Sequence, residues 1–379
     1  MMRFASKTAL ILILILLVLS FNPVLAGPKA PEITSEAAVL MDAVSGEIIF
    51  AKNENQRWAP ASLTKIMTLY LVCEQLQAGK ISIQDPVPIS EKAWRTSGSK
   101  MFVLVDTQVP VEELIKGITI VSGNDACVAL AEYIGGTEEE FVRRMNAKAR
   151  ELGLDNTHFV NAHGLGDPDQ YSTARDLAFL SRDYLQKFPE MLQYHSTREY
   201  EYNGIKQYNR NGLLKYPEID GLKTGRLSST SNLIATGKKD DYRLIAVILG
   251  ADSEAGREKD AYALLNYGFD NYQARKAGEK GQSFGKVRVY KGKGSSVQAV
   301  LPEDLFVTIL KGETPSIRTE LPKYLEAPLA KGEKIGELLV ETRDGEKRFP
   351  LVAEKDIPRS NFLKVFFHSI WLAIRGLFG

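Results

Sequence analysis

Ser62 and Lys65 stand three residues apart in Ala61-Ser62-Leu63-Thr64-Lys65-Ile66-Met67-Thr68. On a helix that spacing puts a hydroxyl and an amine on one face. A serine hydroxyl alone is a weak nucleophile, but a neighbouring lysine whose charged form is disfavoured by desolvation can take its proton. Pro60 just ahead and the apolar run Leu69-Tyr70-Leu71-Val72-Cys73 behind predict a helix that begins near Ser62 and enters a core. Its amino end would then help stabilise an oxyanion. Ser-x-x-Lys by itself equally describes an ordinary helix start with an exposed lysine, so companion groups are required.

Two further triplets have suitable chemistry. Ser122-Gly123-Asn124 offers a hydroxyl able to relay a proton beside an amide able to hold a substrate backbone, on a short polar break that would expose both. Lys223-Thr224-Gly225 combines a cation, a hydroxyl and a residue without a side chain, which suits a strand edge receiving an extended substrate with a carboxylate. Each is a weak signal alone, and Lys-Thr-Gly also fits a solvated turn.

The elements that would position these groups follow from periodicity and punctuation. Ala37 to Ala51 reads as a hairpin around Val44-Ser45-Gly46-Glu47. Helical patterns run from Pro110 through Ile118, past Asp125 to Ile134, from Phe141 to a stop at Gly153, and from Thr173 after a Gly/Asn/Asp-rich loop, Asn161 to Gln170. Such a loop could border a cleft. Leu233–Thr236 and Leu244–Leu249 read as strands, followed by a helix from Arg257 to Tyr272. Hairpin and strand pair with helices between them predict an α+β fold, an antiparallel sheet covered by helices. After Ala277 short strands at Val287–Tyr290, Val297–Leu301, Phe306–Leu310 and Leu338–Val340 predict a small all-β domain.

Composition narrows the function classes. The 379 residues are 44% hydrophobic and 25% charged, enough for more than one core. Formal charge is +1, and no basic block suggests nucleic-acid binding. Arg3 and Lys7, the apolar Leu10–Leu19 and Val24-Leu25-Ala26 read as a secretory signal, so the expected divisions are residues 1–26 leader, 27–276 main domain, 277–358 β domain and 359–379 tail. Cys73 and Cys127 sit in apolar helical contexts and read as buried small hydrophobes rather than a disulfide framework. Four scattered histidines have no metal-ligand spacing, so neither metal nor other cofactor is expected. The tail alternates Phe, Leu, Ile and Trp371 with Lys364, His368, Ser369 and Arg375, as in an amphipathic helix lying in a membrane surface; packing on the β domain is the other reading.

Taken together, the three triplets occur in the order of the penicillin-binding protein and serine β-lactamase superfamily, whose motif set they resemble. Asn161 through Gly164-Leu165, Tyr171-Ser172-Thr173-Ala174-Arg175-Asp176, Asp220-Gly221-Leu222-Lys223-Thr224-Gly225 and Gly256-Arg257 look like the low-molecular-mass D-alanyl-D-alanine carboxypeptidases. The leader, the β domain and the tail add to the likeness. The resemblance implies removal of the terminal D-alanine from peptidoglycan pentapeptide stems, with β-lactams acylating the same serine, by a secreted protein held peripherally on the outer face of the cytoplasmic membrane. It implies Ser62 as nucleophile, Lys65 as base and Ser122 as proton relay. Asn124 would hold the peptide, Lys223, Thr224 and Gly225 the carboxylate end, and the N–H groups of Ser62 and Arg226 the oxyanion. Arg226 stands where some members carry His. Arg257 would assist with the carboxylate or form a surface ion pair, and Asp176 would support the loop before it. A β-lactamase would need a deacylating base, and no Glu-x-x-Leu-Asn segment precedes Lys223. An endopeptidase, a transpeptidase or a non-enzymatic wall protein retaining the fold would share these residues.

Overall fold

The computed structural model describes residues 27–342 and 345–378, with side chains described through Arg375. The expected leader, residues 1–26, lies outside the described residues. Cα packing divides the chain into Met1–Ala30 and Pro31–Gly379. In the first, residues 27–30 form neither helix nor strand.

Within Pro31–Gly379 a five-stranded antiparallel sheet is built from β1 (Ala37–Asp42), β2 (Ile48–Lys52), β3 (Ile219–Arg226), β4 (Ser231–Lys239) and β5 (Tyr242–Ala251), in the order β2-β1-β5-β4-β3. Period-two alternation decides its two faces. Val39, Met41, Ile245, Val247 and Leu249 pack into one core with the helices on that side. Ala38, Leu40, Leu244, Ala246 and Ile248 pack with Leu264, Leu265 and Phe269 on the other. Both faces being covered, β1 and most of β5 read as continuous apolar runs rather than alternating ones.

The helices of ten residues or more between Pro31 and Asn271 are α1 (Lys65–Gln77), α2 (Val111–Ile120), α3 (Asn124–Gly135), α4 (Glu138–Glu151), α5 (Ala174–Lys187) and α6 (Glu254–Asn271). Three begin at hydroxyl caps: Thr137, Thr173 and Ser253 accept the N–H groups of Glu140, Asp176 and Gly256 at 3.1, 3.0 and 3.0 Å. These caps set α4 and α6 three residues earlier than the apolar period alone, because a cap and an acidic first turn extend a helix past its core-facing stripe. Every residue of α1 from Lys65 to Cys73 is buried, which makes it the central helix of the core. Cys73 and Cys127 are buried and unbridged.

The C-terminal part is all β. Six strands order as Ser316–Glu320, Lys334–Thr342, Gly345–Ala353, Ser296–Val300, Ser283–Tyr290 and Leu325–Glu326, while Tyr272–Gly278 pairs with Leu305–Leu310. Strands Tyr272–Gly278, Ser316–Glu320 and Gly345–Ala353 escape the sequence reading because basic or acidic residues on an exposed side dilute their β signal. This part is tied to the hairpin of the main sheet: Thr308 Oγ1 donates to Asp42 Oδ2 at 2.7 Å and lies 2.7 Å from Ser45 Oγ, and Lys347 pairs with Glu47.

The tail forms helix α7 (Phe362–Phe378). Its polar side meets the β domain: the Lys291 N–H donates to His368 Nδ1 at 2.7 Å, and the Tyr290 ring contacts those of His368 and Trp371. Phe362, Leu363, Phe366, Phe367, Ile370 and Ile374 are exposed. The two sequence readings of the tail are therefore not exclusive, since one side packs on protein and the apolar side is left uncovered. Lys364 is half-buried on the packed side, whereas Arg375 lies out over the Trp371 ring, 5.2 Å from its centroid. Among the described residues no helix is long and apolar enough to cross a membrane.

Candidate active site

Ser62 does not begin an α-helix. It sits in the 3-10 turn Ala61–Thr64, which feeds α1 at Lys65, so the expected helix starts three residues later. The turn carries strain: Ala61 has φ +50, a left-handed conformation rare for a residue with a side chain. Three backbone neighbours hold it. The Leu63 N–H donates to the Pro60 carbonyl at 3.1 Å, Gly164 lies so close that a Cβ there would fall on the Ala61 carbonyl oxygen, and a Cβ on Gly225 would be 3.0 Å from the Pro60 oxygen. Two glycines thus allow a loop and a strand to press on the nucleophile turn from either side.

Lys65 is fully buried, and its Nζ lies 2.8 Å from Ser62 Oγ, 2.7 Å from Asn124 Oδ1 and 2.6 Å from the His163 carbonyl. The last two are acceptors only. They hold two N–H groups and leave the third direction of the amine aimed at Ser62. Burial lowers the Lys65 pKa to about 8, with the nearby Arg210 cation acting the same way against the opposing influence of Cys127. Roughly a tenth of the amine is then neutral at pH 7.

Ser122 occupies the break between α2 and α3 with φ +64, a second strained residue at the site. Its Oγ is buried without a hydrogen-bond partner. Neighbouring Asn124 is fixed at both ends of its amide: Oδ1 accepts from Lys65, while Nδ2 donates to the Ser97 carbonyl at 2.7 Å. Next to it, Asp125 accepts the N–H groups of Met101, Phe102 and Val103 and so anchors the segment that follows Gly98-Ser99.

Lys223, Thr224 and Gly225 lie inside β3, the open edge of the sheet, as the strand-edge reading expected and not in a solvated turn. Lys223 is buried and its Nζ donates to the Thr224 carbonyl at 3.1 Å. Burial and the cations Lys65 and Arg210 push its pKa well below the ordinary lysine value. Thr224 and Arg226 share the opposite side of the strand, and the Arg226 guanidinium is largely exposed. Arg257 departs from expectation. It pairs with the half-exposed Glu254 at 3.7 Å, but its own side chain is 1% exposed, donating Nη1 to the Gly225 carbonyl at 3.1 Å and Nη2 to the Arg210 carbonyl at 3.2 Å. It positions the edge strand from behind.

Of these groups Ser62, Asn124 and Arg226 line a cleft of about 800 Å³, together with Gly164, Leu165 and Arg210 among others. The Asn161–Gln170 loop forms one wall, as its composition suggested. Asn161 Oδ1 accepts from Gly164 N–H at 2.6 Å, and Gln170 Oε1 accepts from the N–H groups of Val160 and Asn161. Asp176 supports the segment before that loop, accepting from Asn156 N–H and Thr157 Oγ1. Two contributors carry no sequence signal. Arg210, in the polar turn Asn209-Arg210-Asn211, reaches the cleft and donates to Ser99 Oγ at 2.8 Å, and His163 supplies a carbonyl to Lys65. Burial brings the His163 imidazole down to about 4, so it is neutral despite Glu138 at 3.7 Å.

A nucleophile, a buried amine, an unpartnered hydroxyl and a cationic strand edge around one cleft can support acyl transfer from a substrate carrying a carboxylate. Comparison with known proteins points the same way. Residues 25–253 match the family model described as D-alanyl-D-alanine carboxypeptidase, and 272–359 that described as penicillin-binding protein 5, C-terminal domain. The D-alanyl-D-alanine carboxypeptidase DacA of Haemophilus influenzae is 41% identical over 290 residues, covering 75% of this chain and 74% of that protein. The crystal structure of penicillin-binding protein 5 from Haemophilus influenzae superposes with a TM-score of 0.84 at 42% identity, over 88% of this chain and 100% of that one. Penicillin-binding protein D2 of Listeria monocytogenes, solved in an ampicillin-bound form, gives 0.59 at 28% identity over 64% of this chain and 100% of that one. Identity of this extent, across both the sheet-and-helix part and the β domain, makes the chain a member of the D-alanyl-D-alanine carboxypeptidase family, serine-type peptidases of the bacterial cell wall.

Proposed function

We propose that this carboxypeptidase removes the terminal D-alanine from peptidoglycan pentapeptide stems through an acyl-enzyme on Ser62, and that penicillins acylate the same oxygen. The observation that carries the reading is the buried Lys65 amine, 2.8 Å from Ser62 Oγ and lowered to a pKa of about 8. Neutral Lys65 takes the Ser62 proton as Oγ attacks the carbonyl of the penultimate D-alanine. The resulting oxyanion lies between the N–H groups of Ser62 and Arg226. Ser122, whose hydroxyl has no other partner, gives its proton to the departing D-alanine nitrogen as the C–N bond breaks and takes up the one held by Lys65, which leaves Lys65 neutral for the second half of the reaction. Asn124 holds the stem backbone; Thr224, Lys223 and Arg210 take the terminal carboxylate. Water then attacks the ester, Lys65 receives its proton, and the shortened stem leaves with Ser62 restored.

The ampicillin-bound relative supports penicillin acylation here. We place the protein outside the cytoplasmic membrane, after removal of residues 1–26, held at its outer surface by the uncovered apolar side of α7. A β-lactamase reading lacks the Glu-x-x-Leu-Asn base. The decisive measurement is mass spectrometry of a pentapeptide stem after incubation with the purified protein. Loss of one D-alanine is expected, together with fluorescent-penicillin labelling that disappears in Ser62→Ala. An unchanged stem despite penicillin labelling would favour a non-enzymatic wall protein, and persistent labelling of Ser62→Ala would remove the nucleophile assignment.

A further inference from the structure

The charge of the cleft lining is one-sided. Its charged members, Arg210 and Arg226, are both cations, and no carboxylate lines it among the described residues. The terminal carboxylate of a stem accounts for Arg210, which lies near enough to Lys65 and Lys223 to depress both. Arg226 is left over. It follows Thr224 by two residues, on the same side of the open edge strand β3 and about 7 Å further along it. Its guanidinium is 71% exposed and its partner is Glu254, at 3.5 Å, itself half-exposed. A stem laid antiparallel along this edge with its last residue at Thr224 brings the residue two positions back, its third, to Arg226. The third residue is where a stem side chain ends either in an ammonium group alone or in an ammonium and a carboxylate.

We infer that Arg226 is the specificity contact for the third stem residue, favouring a side chain that ends in a carboxylate over one that ends in an ammonium alone. The inference rests on the carboxypeptidase reading above. A guanidinium accepts a carboxylate in a bidentate fork and repels a bare ammonium. Glu254 competes for the same guanidinium, so an incoming carboxylate exchanges one partner for another.

The test is a competition between two synthetic pentapeptides that differ at the third residue, one bearing lysine and the other a diamino dicarboxylic acid, with D-alanine loss from each followed by mass spectrometry. The dicarboxylic stem is expected to be cleaved about two- to fivefold more efficiently, the range of a partly exposed charge pair. That preference should shrink as salt is raised. It should fall to parity in Arg226→Gln, survive in part in Arg226→Lys, and widen in Glu254→Gln. Because the ratio is internal to each variant, a partly folded preparation lowers both rates and leaves it readable. No preference in the native protein, or the same preference in Arg226→Gln, overturns the role of Arg226. If neither stem loses D-alanine, the carboxypeptidase reading falls and the inference falls with it.

Discussion

At the scale of single residues, the proposed chemistry turns on an amine whose charged form is disfavoured. Lys65 is fully buried and lies near the Arg210 cation, so its pKa is depressed by position even though Asn124 and the His163 carbonyl hold two of its N–H groups. The sign of the pH dependence follows. Below about 8 the neutral fraction of the amine that can take the Ser62 proton shrinks steadily; above it most of the base is available. The rate of penicillin acylation should therefore rise with pH through about 8 and level off, and Lys65→Ala should lower it by about a hundredfold or more and flatten the profile. A profile that falls over this range would exclude Lys65 as the base. Thr224 bears on selectivity instead. Thr224→Val should impair cleavage of a free-acid pentapeptide more than of its C-terminal amide, because only the acid uses the lost interaction. Equal losses in kcat/KM on the two substrates would make the hydroxyl a strut of β3.

At the scale of elements, catalytic geometry depends on backbone laid against backbone. The Ser62 turn is strained at Ala61 and clamped by Gly164 from the loop and by Gly225 from β3, and Arg257 secures β3 through the Gly225 carbonyl. Gly164→Ala tests this clamp. The added methyl has nowhere to go, and φ +87 at that position is unfavourable for any residue with a side chain. The variant should lose about 1–3 kcal/mol of stability and should also label with penicillin more slowly per folded molecule. Native-like labelling and an unchanged denaturation midpoint would show that the loop yields without moving Ser62.

At the scale of the whole molecule, the reaction and the proposed membrane attachment fall to separate parts. The β domain docks on the β1–β2 hairpin through Asp42, Ser45 and Thr308, and α7 caps it through Tyr290 and Lys291. With Phe362 78%, Leu363 64% and Phe367 65% exposed, burial of several such side chains at about 1.5–3 kcal/mol each would hold the protein at a bilayer, helped by Arg375 if the lipid is anionic. A chain ending near Pro358 should stay behind when liposomes float and keep full activity on soluble peptide. Flotation of the shortened chain would place the attachment elsewhere, while loss of activity would make α7 part of the catalytic fold.

What the sequence determined by itself is chemistry and class. Ser62, Lys65, Ser122, Asn124, Lys223 and Thr224 announce themselves because acyl transfer needs particular functional groups, and groups that act together within three residues leave a spacing that can be read. Apolar periodicity likewise made the α+β organisation and the later strands Val287–Tyr290 and Phe306–Leu310 legible, since burial leaves its period in the chain. Tertiary structure alone decided the rest. The 3-10 turn at Ser62 arises because Gly164 and Gly225, 102 and 163 residues away, press on it. Arg257 is buried because the carbonyls it satisfies belong to β3 and to Arg210. Arg210 and the His163 carbonyl entered the site with no local signal, and so did the lowered pKa of Lys65. Proximity across the fold and exclusion of water are properties of packing, and no window along the chain contains them.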